Sequence, residues 1–270
     1  MAALTGASVA QGRDWLEDLR HANLVQDGDG VYAMHDLLRE YARRIAAPDE
    51  QTEAFNRLLD HYLDRVRAAR SVRYPGRGGD PGGPPAFTDA QAARDWLDHE
   101  RVNLVAAVAE AARIGDAAHA CALADALWLY LHEGGHFLAA TVVHRHAADV
   151  AGRTDDRLER SVALDHLGIA YQLVGDYPSG LRCLTEALDL HRAERDRQAE
   201  GRTWSHLGAL EARRGNYSAA VKNLETAVAI ADEVDDAIGA GNAVNRHCRC
   251  WIARSRWPSS PGTRRRWPSR

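Results

Sequence analysis

The sequence predicts a mainly α-helical protein in which one small β-hairpin precedes a solenoid of stacked helical hairpins. Three observations carry this. First, a pattern recurs at an interval of 40 residues: Leu167 and Leu207, Gly168 and Gly208, Gly175 and Gly215, Tyr177 and Tyr217, Leu184 and Leu224, Ala187 and Ala227. Second, the apolar residues from about 88 to 244 keep a helical period. Third, strand-and-turn chemistry is confined to one place near the amino terminus, around Asp27-Gly28-Asp29-Gly30. A fixed interval of this size marks units that each form one helical hairpin and bury their apolar face only against the next unit. Function is then expected on surfaces, not in a catalytic pocket.

Residues 1–47 read as helix, hairpin, helix, the order of a small winged-helix unit. Trp15, Leu16, Leu19 and Ala22 share one helical face. Leu24-Val25-Gln26 leads into the Gly-containing turn, and Val31 to Met34 return as a strand. A second helix opens near His35 with Leu37, Leu38, Tyr41, Ala42 and Ile45 on its buried stripe. Asp36 in its first turn and Arg43 and Arg44 in its last suit the helix dipole, and Pro48 marks its end.

Residues 48–70 form a connecting helix with Leu58, Leu59, Tyr62, Leu63 and Val66 in step. Nine of the seventeen residues from 71 to 87 are Gly or Pro, which predicts a linker. Thr88 and Gln91 form a capping box for the next helix, whose stripe is Trp96, Leu97, Leu104, Val105 and Val108. Residues 88–154 are a degenerate helical repeat region, with Leu127, Gly135, Phe137 and Ala147 as a worn copy of the pattern. Residues 155–244 hold two full repeats and the start of a third. From Asn245 the pattern collapses, since His247-Cys248 stands where Leu-Gly is due. Residues 245–270 are expected to be a disordered tail not native to the fold.

Within the repeats, Leu164, Leu167, Gly168 and Tyr171 lie on a first helix, and Gly180, Leu184 and Ala187 on a second; the next copy offers Trp204, Leu207, Gly208, then Ala220, Leu224 and Ala227. This stretch resembles the tetratricopeptide repeat, in its longer variety. Small residues stand where helices touch closely, and Leu, Trp or Tyr fill the space between neighbouring hairpins. Two departures are Glu211 for the Tyr of the second copy and Trp128 at the Gly position of the worn one. The resemblance implies a concave groove that binds a protein or peptide.

Tyr32-Ala33-Met34-His35-Asp36-Leu37-Leu38-Arg39 follows the hairpin and opens a helix. It resembles the Met-His-Asp motif that closes the nucleotide-binding module of STAND/NB-ARC-type signalling ATPases. Trp96-Leu97, Glu100-Arg101 and Asn103-Leu104 resemble the start of the helical region that follows that module in bacterial transcriptional regulators of the antibiotic-regulatory-protein class. The resemblance implies a carboxy-terminal piece of such a regulator, autoinhibited in its ADP form. His35, with Met34 and Asp36 beside it, would there contact the β-phosphate of ADP. The chemistry cannot be completed by this chain: a P-loop needs Gly-Lys-Ser/Thr, and the single Lys is Lys222, inside a repeat helix. No cofactor is therefore expected here, and the missing nucleotide-binding domain is an expected partner. A free-standing repeat adaptor is the alternative.

Composition narrows the rest. The net charge of −4 hides eight Arg and no acid in residues 245–270, which leaves −12 on the body and disfavours phosphate backbones. Residues 1–47 hold five Arg against seven acids, unlike a DNA-reading winged helix, so direct nucleic-acid binding is not expected. Cys121, Cys183, Cys248 and Cys250 are too few and too irregularly placed for a disulfide framework, no signal peptide is evident, and a cytoplasmic protein is expected. No apolar run is long enough to span a membrane. His132-Glu133-Gly134-Gly135-His136 spells the zinc-hydrolase pattern, but adjacent glycines at the turn position predict a break between helices, so no metal site is expected. Neither a nucleophile elbow nor a dinucleotide fingerprint is present, and no enzyme is expected.

Overall fold

The computed structural model describes residues 2–28, 31–75 and 86–256. In chain order these form α1 (Ala2–Thr5), α2 (Val9–His21), β1 (Gln26–Gly28), β2 (Val31–Ala33), α3 (Asp36–Ile45), α4 (Pro48–Arg73) and α5 (Ala90–Ile114). There follow α6 (Ala117–Glu133), α7 (Phe137–Arg153), α8 (Arg157–Val174), α9 (Tyr177–Ala193), α10 (Arg197–Arg213), α11 (Tyr217–Glu233) and α12 (Ala237–Arg256). The chain divides into two compact units, Met1–Ala107 and Val108–Arg270, with the boundary inside α5.

In the first unit, a capping box between Ser8 and Gln11 opens α2. The strands pair antiparallel with Gln26 opposite Ala33, Asp27 opposite Tyr32 and Gly28 opposite Val31. The connecting Asp29-Gly30 lies outside the described residues. The Tyr32 hydroxyl donates to Glu17 at 3.3 Å, tying the hairpin to α2. Pro48 begins α4, where its missing N–H costs nothing. The buried side chains of α4 and α5 in this unit include Leu59, Val66, Ala69, Ala93, Leu97 and Leu104. The Arg65 guanidinium lies 4.1 Å from the Phe87 ring centroid and 5.0 Å from that of Trp96, so Phe87, at the end of the expected linker, is packed.

Two expectations are corrected in this unit. The Asp89 carboxylate, not a Thr88–Gln91 box, accepts the N–H groups of Gln91 at 2.9 Å and Ala92 at 2.8 Å. A carboxylate bonding two free donors of the first turn displaces the weaker hydroxyl cap. The apolar stripe of α3 exists but is not buried: Leu37 is 75%, Tyr41 63% and Ile45 67% exposed. Amphipathic spacing encodes a face that can be covered, not the element that covers it.

The second unit is a tetratricopeptide-like solenoid of helical hairpins, and its backbone keeps time at half the sequence interval. Left-handed residues stand every 20 positions, at Gly115, Gly135, Asp155, Gly175, Arg195, Gly215 and Asp235. After each, the next N–H returns to the carbonyl five residues back, from Asp116 to Ala111 through Asp236 to Ala231. That next residue then begins the following helix. Asp116, Asp156, Asp176 and Asp196 each accept the N–H three residues on. The helices α6 to α11 are accordingly 17 or 18 residues long, and the worn copy, α6 with α7, has the same build as the two clear ones.

Turns inside a hairpin carry Gly, whereas turns between hairpins carry Asp155, Arg195 and Asp235 at φ of 55°, 58° and 55°. Arg195 has no local side-chain bond to favour this conformation. Arg195→Gly is therefore expected to raise stability by about 1 kcal/mol, the left-handed cost less the extra entropy of an unfolded Gly. A lower thermal midpoint for the variant would contradict this.

The carboxy-terminal expectation needs adjustment. Helix α12 continues to Arg256, past the point at 245 where the pattern collapses. Loss of Leu-Gly removes a packing signature, not helix propensity, and the first Pro in that stretch is Pro258. Residues 257–270 of the expected tail lie outside the described residues. Among the described residues, no helix is long and apolar enough to cross a membrane.

Candidate functional site

The repeat signature residues meet as small against large. A Cβ on Gly168 would lie 2.6 Å from Leu184 Cγ, and one on Gly208 would lie 2.6 Å from Leu224 Cγ. Leu184, Ala187, Ala220 and Leu224 are wholly buried, with Leu167, Leu207 and Ala227 nearly so. Gly180 backs onto Gly168, its would-be Cβ 2.9 Å from the Gly168 carbonyl oxygen. Tyr177 and Trp204 pack beside Leu184, Leu188, Leu207 and Leu210, joining one hairpin to the next. Tyr177 and Tyr217 each open a second helix, and Gly175 and Gly215 are the left-handed residues two places before them. Tyr171 is half-buried. Its replacement in the next copy, Glu211, is buried and receives a 2.8 Å hydrogen bond from Arg214.

The first helices of the two clear hairpins share a matching stripe that is not fully buried. Val162, His166, Ile169 and Leu173 on α8 stand 40 residues before Arg202, His206, Ala209 and Arg213 on α10, and all are half-buried or exposed. Val162, Ile169 and Leu173 make the α8 part largely apolar, and Arg202, His206 and Arg213 make the α10 part largely basic.

Behind this stripe lies a polar network. Asp165 is 8% exposed. Its carboxylate accepts the Thr203 hydroxyl at 2.9 Å and lies 3.1 Å from His191 Nε2 and 3.7 Å from His206 Nδ1. Burial alone would raise this carboxyl; the hydrogen bonds and charges of His191 and His206 outweigh it and hold it well below the usual carboxylate range. Sequence reasoning missed these residues. The available signal was the interval itself, which aligns Asp165 with Ser205 and His166 with His206 and Arg246.

A second cluster surrounds Trp128. His166 stacks on it at 4.1 Å between centroids, His144 meets it edge-on at 5.4 Å, and His132 lies at 4.9 Å. His144 is in phase with Leu184 and Leu224, so where those leucines close over a Gly, here an imidazole meets an indole. His144 is wholly buried and neither ring nitrogen has a hydrogen-bond partner. Burial, then the neighbouring His166, pushes its pKa well below 6.5. The unfolded chain therefore takes up this proton first. The stability of the wild type is intact above about pH 6.5 and declines as pH falls below it. His144→Leu is expected to flatten that decline and to leave stability at pH 7 equal or higher. Parallel urea titrations at several pH values would detect an unchanged slope, the contrary result.

Other sequence candidates fall elsewhere. His35 caps α3, its Nδ1 accepting the Leu37 N–H at 3.3 Å; the Met34 carbonyl accepts from Arg39 at 3.0 Å, and Asp36 pairs with Arg39 at 3.2 Å. All three residues thus build a helix start. In the zinc-like pattern, α6 ends at Glu133, Gly135 is left-handed and His136 stands at the N-cap of α7, so the two histidines do not share a helix. Burial pushes the Cys121 thiol up to about 12 and that of Cys183 up to about 11, which leaves neither as a ready nucleophile.

Comparison with known proteins agrees with this geometry. The chain is 31% identical over 225 residues to the regulatory protein AfsR of Streptomyces griseus, a match covering 77% of this chain and 23% of that protein. It is 35% identical over 126 residues to the regulatory protein AfsR of Streptomyces coelicolor, covering 41% of this chain and 13% of that protein. The chain thus spans less than a quarter of the length of these curated relatives. Residues 159–233, from the first turn of α8 to the end of α11, match the family model of the tetratricopeptide repeat.

Proposed function

We propose that this chain is the interaction part of a transcriptional regulator, in which the repeats bind a protein or peptide partner and no reaction is catalysed. The observation that carries this is the in-phase stripe of α8 and α10, partly exposed on one side and backed on the other by Gly168, Gly208 and their leucines. The likeness to regulatory proteins supports the regulatory half of the reading. Its working place would be the cytoplasm.

The finer reading is a carboxy-terminal piece of a signalling ATPase-type regulator, with residues 1–47 as a winged-helix remnant. The bare α3 face, Leu37, Tyr41 and Ile45, would then seat against the missing nucleotide-binding domain. There His35, with Met34 and Asp36, would sense ADP in the parent protein and bias an inactive state. The capping bond of His35 favours the alternative, a free-standing repeat adaptor without a switch.

Two measurements separate these readings. A photoreactive amino acid at position 169 or 209 is expected to crosslink a partner, while one at exposed position 229 on α11 is not; equal crosslinking from all three would refute a groove. An ADP-loaded nucleotide-binding module of the STAND/NB-ARC type is expected to bind this chain and to lose affinity for Leu37→Glu. Absence of binding in either nucleotide state would leave only the adaptor.

A further inference from the structure

Successive hairpins repeat one pairing with a separation of 41 residues. His206 on α10 faces Asp165 on α8 at 3.7 Å; one interval later, Arg246 on α12 donates to the Ser205 hydroxyl on α10 at 2.8 Å. The second rung has kept a basic residue and lost its acid. Its neighbours have shrunk as well: His191 and Thr203, which complete the Asp165 network, become Ala231 and Ala243. What remains is a cavity of about 270 Å³ lined by α10, α11 and α12, with Arg202, Ser205, His206, Ala231 and Arg246 among its walls.

The charges around this space do not cancel. Among the described residues, no carboxylate lies within ion-pairing distance of Arg246, and burial pulls its pKa below the ordinary guanidinium value. Among the described residues, the one acid of the lining, Asp236, is already engaged: it accepts the Gly239 N–H at 2.8 Å and the Gln198 amide at 3.2 Å. A half-buried guanidinium whose one hydrogen-bond partner among the described residues is a hydroxyl is under-satisfied, and it holds several donors in a planar fork that matches a carboxylate.

We propose that the cavity between α10, α11 and α12 receives a ligand carboxylate, which takes on Arg246 and Ser205 the place that Asp165 fills one hairpin earlier. The inference rests on the reading of the repeats as a ligand-binding surface and names the chemistry of its ligand. Arg202 and His206 stand on the same wall and would meet the remainder of an acidic ligand.

The test follows the Arg246 Nε–H resonance of the full chain by NMR. Three probes are compared: glutarate, a capped peptide with one Glu, and the same peptide with Gln. Glutarate, the Glu peptide or both are expected to move the resonance saturably, and the Gln peptide to leave it unmoved. Binding of the peptide alone assigns the carboxylate to a protein partner, and binding of glutarate alone to a small molecule. Ser205→Asp supplies the acid from within, so it is expected to fold at least as stably as the wild type and to weaken binding more than about tenfold, equivalent to about 1.4 kcal/mol. Arg246→Gln is expected to do the same without adding an acid. An unmoved resonance with both acids, an equal response to sulfate at matched ionic strength, or undiminished affinity in Ser205→Asp would each overturn the proposal. Because glutarate is read without any partner, its failure would leave the crosslinking result for the repeats untouched, and the reverse holds too.

Discussion

Asp165→Ala is expected to destabilise the second unit by about 3–5 kcal/mol, the usual cost of removing one member of a buried charged network and stranding the others. His191 Nε2 loses its partner at 3.1 Å, and the Thr203 hydroxyl keeps only the Ala199 carbonyl at 3.0 Å. The pH dependence identifies the mechanism. The folded-state pKa of Asp165 is depressed, so its contribution is fully present above the unfolded value of about 3.9 and is lost as pH falls through the folded value. Chemical denaturation of wild type and variant should therefore differ by a steady amount near neutrality and converge in acid. A constant difference down to about pH 2, where an unfolded-state carboxylate is protonated, would mean that packing and not charge was removed.

Gly168→Val is expected to cost about 3 kcal/mol, at the upper end for overpacking a close-packed interior. The first added carbon already falls 2.6 Å from Leu184 Cγ, and Leu184 has no exposed surface through which to retreat. Leu184→Ala alone should also destabilise, by about 2–5 kcal/mol. In the double variant the new methyl groups enter the space the leucine vacates, so the two losses should fall short of their sum by about 1 kcal/mol or more. Strict additivity, measured in a double-mutant cycle, would show that the crossing of α8 and α9 does not depend on this pair.

These two positions differ in how far they could be read in advance. Gly168 was legible because close helix approach demands a small residue at every hairpin, and the demand repeats with the interval. Asp165 was not. A single Asp on a helix looks the same whether its face meets water or another helix, and only the third dimension brings His191 and Thr203 to it. His144 shows the same limit from the other side, since its alignment with Leu184 and Leu224 hinted at burial while its chemistry argued for the surface. The hairpin of β1 and β2 was legible from its Gly-containing turn, but the uncovered stripe of α3 was not. At Met34-His35-Asp36 the structure shows a histidine that caps a helix, which the resemblance to a motif did not foretell.

The regular spacing of left-handed residues has a further consequence. Among the described residues, substantial contacts in the second unit run only between adjacent helices or next-but-one, as in α8 with α9 and α8 with α10. Such a stack behaves like a row of coupled tiles: each tile is held by two seams in the middle and by one at either end. Amide exchange with deuterium should consequently be slowest in α8 and α9 and quicken stepwise outward, and a bound ligand bridging two tiles would slow exchange across its own seam first.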